Sequence, residues 1–257
     1  MNPGRPKRSL GQNFLRDPNT VRKIVAAMDL RFEDRVLEIG PGQGALTGLL
    51  SEACALVVAL EKDRDLCLDL KKNSPRTAVV NADALEFPWE ALNALPGMKI
   101  VGNLPYNVAS PIIWEVVSRA TSFALGVFML QKEVAMRVCS RPGSRTYGGL
   151  SAWVQNFARA EYLFRVSPAV FYPRPKVESA VVRFYPLNHA GFVDRCKLAA
   201  SIKMLFSKRR KQLGRILKGF ESRDLAAWFV KWDLTPRSRP EEIPPEAFLD
   251  LSRVIFV

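Results

Sequence analysis

Residues 36–50 constrain the fold of this chain more than any other stretch. Val36-Leu37-Glu38-Ile39 is an apolar run, Gly40-Pro41-Gly42-Gln43-Gly44 follows at once, and Ala45-Leu46-Thr47-Gly48-Leu49-Leu50 has helical character. A strand, a glycine turn and a helix form the opening of a nucleotide-binding α/β unit. The glycines let the backbone turn sharply and approach a ligand closely. The helix start adds unpaired N–H groups and a positive dipole end.

The following strands carry acids at fitting places. Leu56-Val57-Val58-Ala59-Leu60 ends at Glu61, about twenty residues past the glycines, where a carboxylate can bind two ribose hydroxyls. Ala78-Val79-Val80 leads to Asn81-Ala82-Asp83, which places Asp83 to meet an adenine amine at the next strand end. Gly40, Gly42 and Ala45 fit the dinucleotide fingerprint equally well. The glycines alone therefore leave a nicotinamide cofactor and S-adenosylmethionine both open.

A fourth apolar stretch, Lys99-Ile100-Val101-Gly102, ends in Asn103-Leu104-Pro105-Tyr106. This is a grip for a planar, amino-bearing base. The Asn103 side-chain oxygen and the Leu104 carbonyl can accept both hydrogens of an exocyclic amine. Pro105 has no N–H and biases Leu104 towards an extended backbone, leaving that carbonyl free to face a ligand. Tyr106 supplies a ring to stack on the base. Four residues at a fourth strand end favour methyl transfer over hydride transfer.

With these motifs in place, the chain resembles the ribosomal RNA adenine dimethyltransferases, the KsgA family. The matching segments run nearly end to end: Gly11-Gln12-Asn13-Phe14-Leu15, residues 37–47, 59–63, 81–83 and 102–111, Gln131-Lys132-Glu133-Val134-Ala135, Tyr147-Gly148-Gly149-Leu150-Ser151, and residues 171–184. The resemblance implies that Asn13 and Leu15 contact S-adenosylmethionine from the N-terminal segment. It implies further that Gly40 lies against the cofactor, Glu61 holds its ribose and Asp83 binds its adenine amine. Asn103 would line the junction of cofactor and base, Tyr106 would stack on the flipped adenine, and Phe171 would cover the other face. The implied activity is N6,N6-dimethylation of adenines in small-subunit ribosomal RNA or a precursor particle, at two adjacent adenines in a loop near the 3′ end, with a role in small-subunit biogenesis. The related macrolide-resistance enzymes act on large-subunit RNA. Pro41, Gln43, Leu104 and residues 206–213 resemble the small-subunit group instead. A rival of another class is a binding factor that keeps the fold and uses its basic surface without catalysis; intact Asn103 and Tyr106 argue against it.

Charge agrees with a polyanionic partner. There are 38 Lys and Arg against 25 Asp and Glu, a net charge of +13. Phosphate contacts dominate nucleic-acid affinity. Residues 197–223 hold nine basic residues against Glu221 alone. The densest piece, Lys208-Arg209-Arg210-Lys211, is expected to bind RNA from within an amphipathic helix that includes Ile202, Leu205, Phe206, Leu213, Ile216 and Leu217. Arg5, Lys7 and Arg8 form a second basic segment, fit to touch RNA or to help close over the cofactor.

The length allows one medium domain plus a smaller one. The expected architecture is α/β: a Rossmann-like S-adenosylmethionine-dependent methyltransferase domain over residues 1–186, mostly parallel, and a small helical, basic RNA-binding domain over 187–257. The only histidine, His189, falls in a connector and is no candidate general base. The four cysteines are dispersed without metal-ligand spacing, which predicts reduced thiols and no zinc site. The basic N-terminus lacks the apolar core of a signal peptide, and no apolar run is long enough to span a membrane. A cytoplasmic monomer is expected.

Overall fold

The computed structural model describes residues 6–188 and 193–256. Arg5 and His189 lie outside them. The described chain divides into two compact units. One comprises Met1–Ala135 and Ala160–Pro186; the other comprises Met136–Arg159 and Leu187–Val257.

The first unit begins with β1 (Phe14–Leu15) and α1 (Pro18–Ala26), then alternates strands and helices. These are β2 (Arg35–Ile39), α2 (Thr47–Ala53), β3 (Leu56–Glu61), α3 (Arg64–Asn73), β4 (Thr77–Asn81), β5 (Lys99–Asn103), α4 (Ala109–Arg119) and β6 (Leu125–Gln131). A helix α5 (Lys132–Val138) follows; after α6 (Gly149–Phe157), which belongs to the second unit, come β7 (Ala158–Val166), β8 (Phe171–Tyr172) and β9 (Ser179–Pro186). Seven strands form one sheet in the order β4-β3-β2-β5-β6-β9-β7, and β1 pairs with β8 in a separate two-stranded ribbon. The five strands from β4 to β6 are parallel, and β9 runs antiparallel to β6. Right-handed crossovers put α2 and α3 on one face and α4 on the other.

Side-chain alternation explains why these segments are strands buried on both sides. On β6, Leu125, Val127 and Met129 enter a core cluster with Val57, Val101 and Val181, while Gly126, Phe128 and Leu130 face the opposite way. The same cluster takes Val21, Ile24 and Met28 from and just beyond α1, and Leu46 and Leu50 from the glycine turn and α2. Each fully buried aliphatic side chain contributes about 1.5–3 kcal/mol by leaving water, so the glycine turn hangs on a well-anchored strand and helix.

The second unit is helical: α7 (Arg195–Phe206), α8 (Leu213–Ile216), α9 (Arg223–Lys231) and α10 (Pro245–Ile255) join α6. The expected division at residue 186 therefore needs a correction, because Met136–Arg159 belongs with this unit. The reason is packing. The α6 residue Asn156 donates to the Pro245 carbonyl at 2.8 Å, Tyr147 donates its hydroxyl to the Ile243 carbonyl at 3.0 Å, and the Tyr147 and Phe206 rings lie 6.2 Å apart. Such partners, distant in sequence, leave no local signal.

The basic helix needs a second correction. Residues 207–212 carry no apolar side chain, so a helix continued through them would have nothing to bury. Instead α7 stops. The Ser207 N–H returns to the Lys203 carbonyl at 3.0 Å and its hydroxyl to the Met204 carbonyl at 2.8 Å. Lys208, Arg209, Arg210 and Lys211 form the turn before α8, where Leu213 and Ile216 are buried again.

Candidate active site

The order of the parallel strands reverses between β2 and β5. The chain runs outward through β3 and β4, then crosses back to β5 and β6. Ligands of such sheets bind outside the carboxyl ends of the strands at this switch point. An open cleft of about 1190 Å³, counted out to its mouth, lies among these strand ends. Asn13, Leu15, Gly40, Glu61, Asp83, Asn103, Leu104 and Tyr106 all line it.

The glycine turn forms part of its wall. Gly40 has φ +64°, which L side chains rarely adopt, and the space where its Cβ would sit is open. Gly42 has φ +59°, and a Cβ there would stand 3.1 Å from the Phe14 ring. Its N–H donates to Glu61 Oε2 at 3.0 Å, so the turn and the end of β3 fix each other.

Three carboxylates, Glu38, Glu61 and Asp83, line the cleft, and a fourth, Asp63, follows Glu61 at the start of α3; their states differ. Glu38 is buried, and burial pushes its carboxyl up to about 7. The Thr47 hydroxyl donates to its Oε2 at 2.6 Å and opposes that rise; the charge of Glu61 adds to it. Glu61 is raised as well, chiefly by burial, while N–H bonds from Asp63 at 2.9 Å and from Gly42 hold its ionised form. Neither Glu38 nor Glu61 forms an ion pair among the described residues. Asp63 caps α3 and receives Lys7 Nζ at 2.7 Å and Gln12 Nε2 at 3.0 Å. Burial raises its carboxyl, but these bonds prevail and hold it below the usual range. Asp83 is likewise lowered: the Lys62 ammonium at 2.6 Å and the Leu85 N–H outweigh its partial burial.

Asn103 ends β5 and donates its Nδ2 to the Asn13 carbonyl at 3.1 Å. That bond fixes the amide and leaves Oδ1 as an acceptor. Leu104 follows with its side chain buried and its N–H donated to the Met129 carbonyl at 3.2 Å. The Tyr106 hydroxyl lies 2.5 Å from Ser179 Oγ. Burial raises the phenol, and the Ser179 bond offsets part of that rise.

Of the residues expected to bind cofactor or base, Phe171 is the one that is not among those lining the cleft. It pairs with Leu15 across the β1–β8 ribbon, and its ring, 5% exposed, packs into the core with Leu15, Val21 and Val181. Strand alternation sends its neighbour Tyr172 outward instead.

Glu38, Gln12 and Ser179 are site residues to which sequence reasoning gave no role, and Lys7 was given only a general one. An acid inside the apolar run 36–39 was the available signal for Glu38. Lys7 belonged to the basic N-terminal segment. Its ammonium bridges Asp63 and Asp65, both at 2.7 Å, beside the cleft. Ser179 and Gln12 fall in the matching segments 171–184 and 11–15, but their partners, 73 and 51 residues away, left no local signal.

In the second unit the basic turn divides internally. Arg209 donates to the Arg145 carbonyl at 2.8 Å and lies 3.6 Å from Glu241. Lys208, Arg210 and Lys211 are exposed and have no acidic partner among the described residues. Among those residues no cluster of three or more His, Cys, Asp or Glu could hold a metal, and none of the four cysteines is in a disulfide. No helix there is long and apolar enough to cross a membrane.

Comparisons with known proteins point to one family. The family model for ribosomal RNA adenine dimethylase matches residues 4–256. Ribosomal RNA small subunit methyltransferase A of Maridesulfovibrio salexigens is 47% identical over 253 residues, covering 98% of this chain and 96% of that protein. The protein of the same name from Nitratidesulfovibrio vulgaris is 44% identical over 259 residues, 98% and 97% of the two chains. Among solved structures, a dimethyladenosine transferase from Plasmodium falciparum superposes with a TM-score of 0.77 at 25% identity, over 93% of this chain and 95% of that one. The 23S rRNA methyltransferase ErmE shares the fold, with a TM-score of 0.71 at 24% identity over 95% and 100%. With a match from residue 4 to residue 256, the chain belongs to the ribosomal RNA adenine dimethylase family.

Proposed function

We propose that this chain transfers methyl groups from S-adenosylmethionine to the N6 amine of adenines in small-subunit ribosomal RNA, twice per base. The observation that carries the reading is the Asn103 amide. Its Nδ2 is donated to Asn13 at 3.1 Å, which leaves its oxygen as an acceptor, and Asn103, Leu104 and Tyr106 line one cleft. The family match and relatives of 44–47% identity named for the small subunit support the choice of RNA.

The cleft fits the cofactor on its own chemistry. Two buried carboxylates without a cationic partner, Glu38 and Glu61, suit a ligand that carries positive charge, and the open backbone at Gly40 allows close approach. Glu61 would hold the ribose hydroxyls, Asp83 the adenine amine, and Asn13, Leu15 and Gly40 the body of the molecule. S-adenosylmethionine supplies an electrophilic methyl group when bound.

The residues of the chain prepare the acceptor. The N6 lone pair of adenine is delocalised into the ring, so the amine is a poor nucleophile. Two acceptors, Asn103 Oδ1 and the Leu104 carbonyl, hold its hydrogens and favour a pyramidal nitrogen with the lone pair exposed. Alignment of bound reactants is worth roughly 7–11 kcal/mol in favourable cases. Tyr106 stacks on the ring and attracts the positive charge that develops there. The surplus proton then leaves a cationic amine readily, and no strong base is required. A base stacked in a duplex cannot reach this geometry, and extrusion costs least where the base is unpaired. An RNA loop is therefore the fitting substrate, with two adjacent adenines near the 3′ end as the proposed site. The exposed cations of the turn at 208–211 would hold RNA phosphates.

The test is transfer of label from S-adenosylmethionine to purified small and large ribosomal subunits lacking adenine dimethylation, followed by digestion to nucleosides. Dimethyladenosine confined to small-subunit RNA is expected. Label in large-subunit RNA would overturn the assignment of substrate, and binding without any transfer would overturn the activity.

A further inference from the structure

The β1–β8 ribbon is tied to the base site at both ends. Asn13, just before β1, accepts the Asn103 amide, and Ser179, a few residues beyond β8, holds the Tyr106 hydroxyl. Tyr172 is 49% exposed, and the guanidinium carbon of Arg16 lies 4.1 Å from its ring centroid. Arg16, Arg174 and Lys176 are exposed, and none has an acidic partner among the described residues. The single acid of residues 171–179, Glu178, is neutralised by Lys132 at 2.8 Å and Arg165 at 3.1 Å. Pro173 and Pro175 restrict the backbone that carries Arg174 and Lys176, so little order is lost on binding.

This combination has a specific chemical complement. A guanidinium lying over an aromatic ring is a planar platform with a free outer face, on which an unstacked base can lie. Unpaired cations close by neutralise phosphates. A protein partner would be expected to bring acids and an apolar centre, and the exposed apolar side chains of the segment, apart from the tyrosine ring, are Pro173 and Val177. We propose that this ribbon seats the RNA strand flanking the target adenine, with the Arg16–Tyr172 pair stacking on a neighbouring unpaired base and Arg174 and Lys176 holding adjacent phosphates. The proposal rests on the reading of the cleft as an adenine-methylating site, and it extends recognition from one base to its neighbours.

The experiment uses the full chain and a triple variant, Arg16→Gln with Arg174→Gln and Lys176→Gln. Methyl transfer to small subunits gives kcat and KM, calorimetry gives cofactor affinity, and anisotropy gives binding of a short unpaired RNA across salt concentrations. The triple variant should raise KM for RNA about tenfold, keep kcat at saturation and cofactor affinity within twofold, and flatten the slope of log Kd against log salt by about 1.4, at about 0.7 for each phosphate lost. Tyr172→Phe, which keeps the ring, should match the parent chain; Tyr172→Leu should raise KM several-fold. Parental KM and salt slope in the triple variant would overturn the proposal. So would loss of cofactor affinity or of the folded state, since these residues would then be structural. If the parent chain labels no adenine, the reading of the cleft has failed, and the anisotropy still decides the ribbon on its own.

Discussion

The strand ends around the glycine turn and the turn at residues 208–211 differ in how their polar groups are occupied. At the strand ends, Asn103 is bonded to Asn13, Tyr106 to Ser179, Glu61 to two backbone N–H groups and Asp63 to Lys7 and Gln12. In the basic turn, Lys208, Arg210 and Lys211 point their charge at solvent, and Arg209 alone is tied down. The first arrangement holds atoms to fractions of an ångström, as chemistry on one amine requires. The second supplies charge without fixed geometry, which suffices for a phosphate backbone. Damage should therefore be abrupt and local in the cleft, and graded and salt-dependent in the turn.

The largest effect should come from Asn103→Ala. It removes one of two acceptors for the amine and releases the Asn13 carbonyl. We expect kcat to fall about 10²–10³-fold, the cost of losing one preorganised partner of a reacting group, with RNA affinity within twofold of the parent. Single-turnover transfer and a binding titration on the same subunits give both numbers. Normal turnover would remove the amine clamp and erase the distinction between the two regions.

That contrast was only half legible in the sequence. Apolar runs ending in Gly40, Glu61, Asp83 and Asn103 announce strand ends on one rim of a parallel sheet, because such strands are apolar throughout and their loops carry the polar residues. All four residues line the cleft. The burial of Phe171 was not legible, because pairing with Leu15 decides which way a two-residue strand faces, and pairing is a long-range property. The basic helix was misread because periodicity was extended across six polar residues, where nothing anchors a helix face. The transfer of Met136–Arg159 to the helical unit and the Tyr106–Ser179 bond depend on contacts that only the fold creates.

A smaller effect should follow from Lys208→Gln, Arg210→Gln and Lys211→Gln together. Each alone should weaken RNA binding about threefold. The triple should weaken it about thirtyfold and flatten the salt slope by about 2, with kcat at saturation unchanged. Arg209→Gln should behave differently. Its bond to Arg145 and its partly exposed pairing with Glu241 are worth about 1 kcal/mol, so melting should drop by about 2–4 °C while the salt slope stays near parental. Equal salt effects from Arg209 and its neighbours would make the turn a uniform phosphate surface and blunt the comparison.

The smallest effect concerns Glu38, whose carboxyl titrates near 7 in the folded chain because burial disfavours its charge. In the unfolded chain it titrates near 4.5. Between these values the folded state keeps a proton that the unfolded state has released. The contribution of Glu38 to stability therefore falls as pH rises through this window and levels off above about 7. One proton changes stability by at most about 1.4 kcal/mol per pH unit. Between pH 6 and 7 the parent chain should lose about 1 kcal/mol, or about 2–4 °C in melting temperature, relative to Glu38→Gln, which mimics the protonated form at every pH. A cationic ligand in the cleft favours the ionised carboxylate. The affinity for S-adenosylmethionine should accordingly rise over the same window in the parent and stay flat in Glu38→Gln. Parallel melting curves across pH for the two chains would show that the buried acid is ionised throughout, and the cleft would then keep its charge as permanently as the basic turn does.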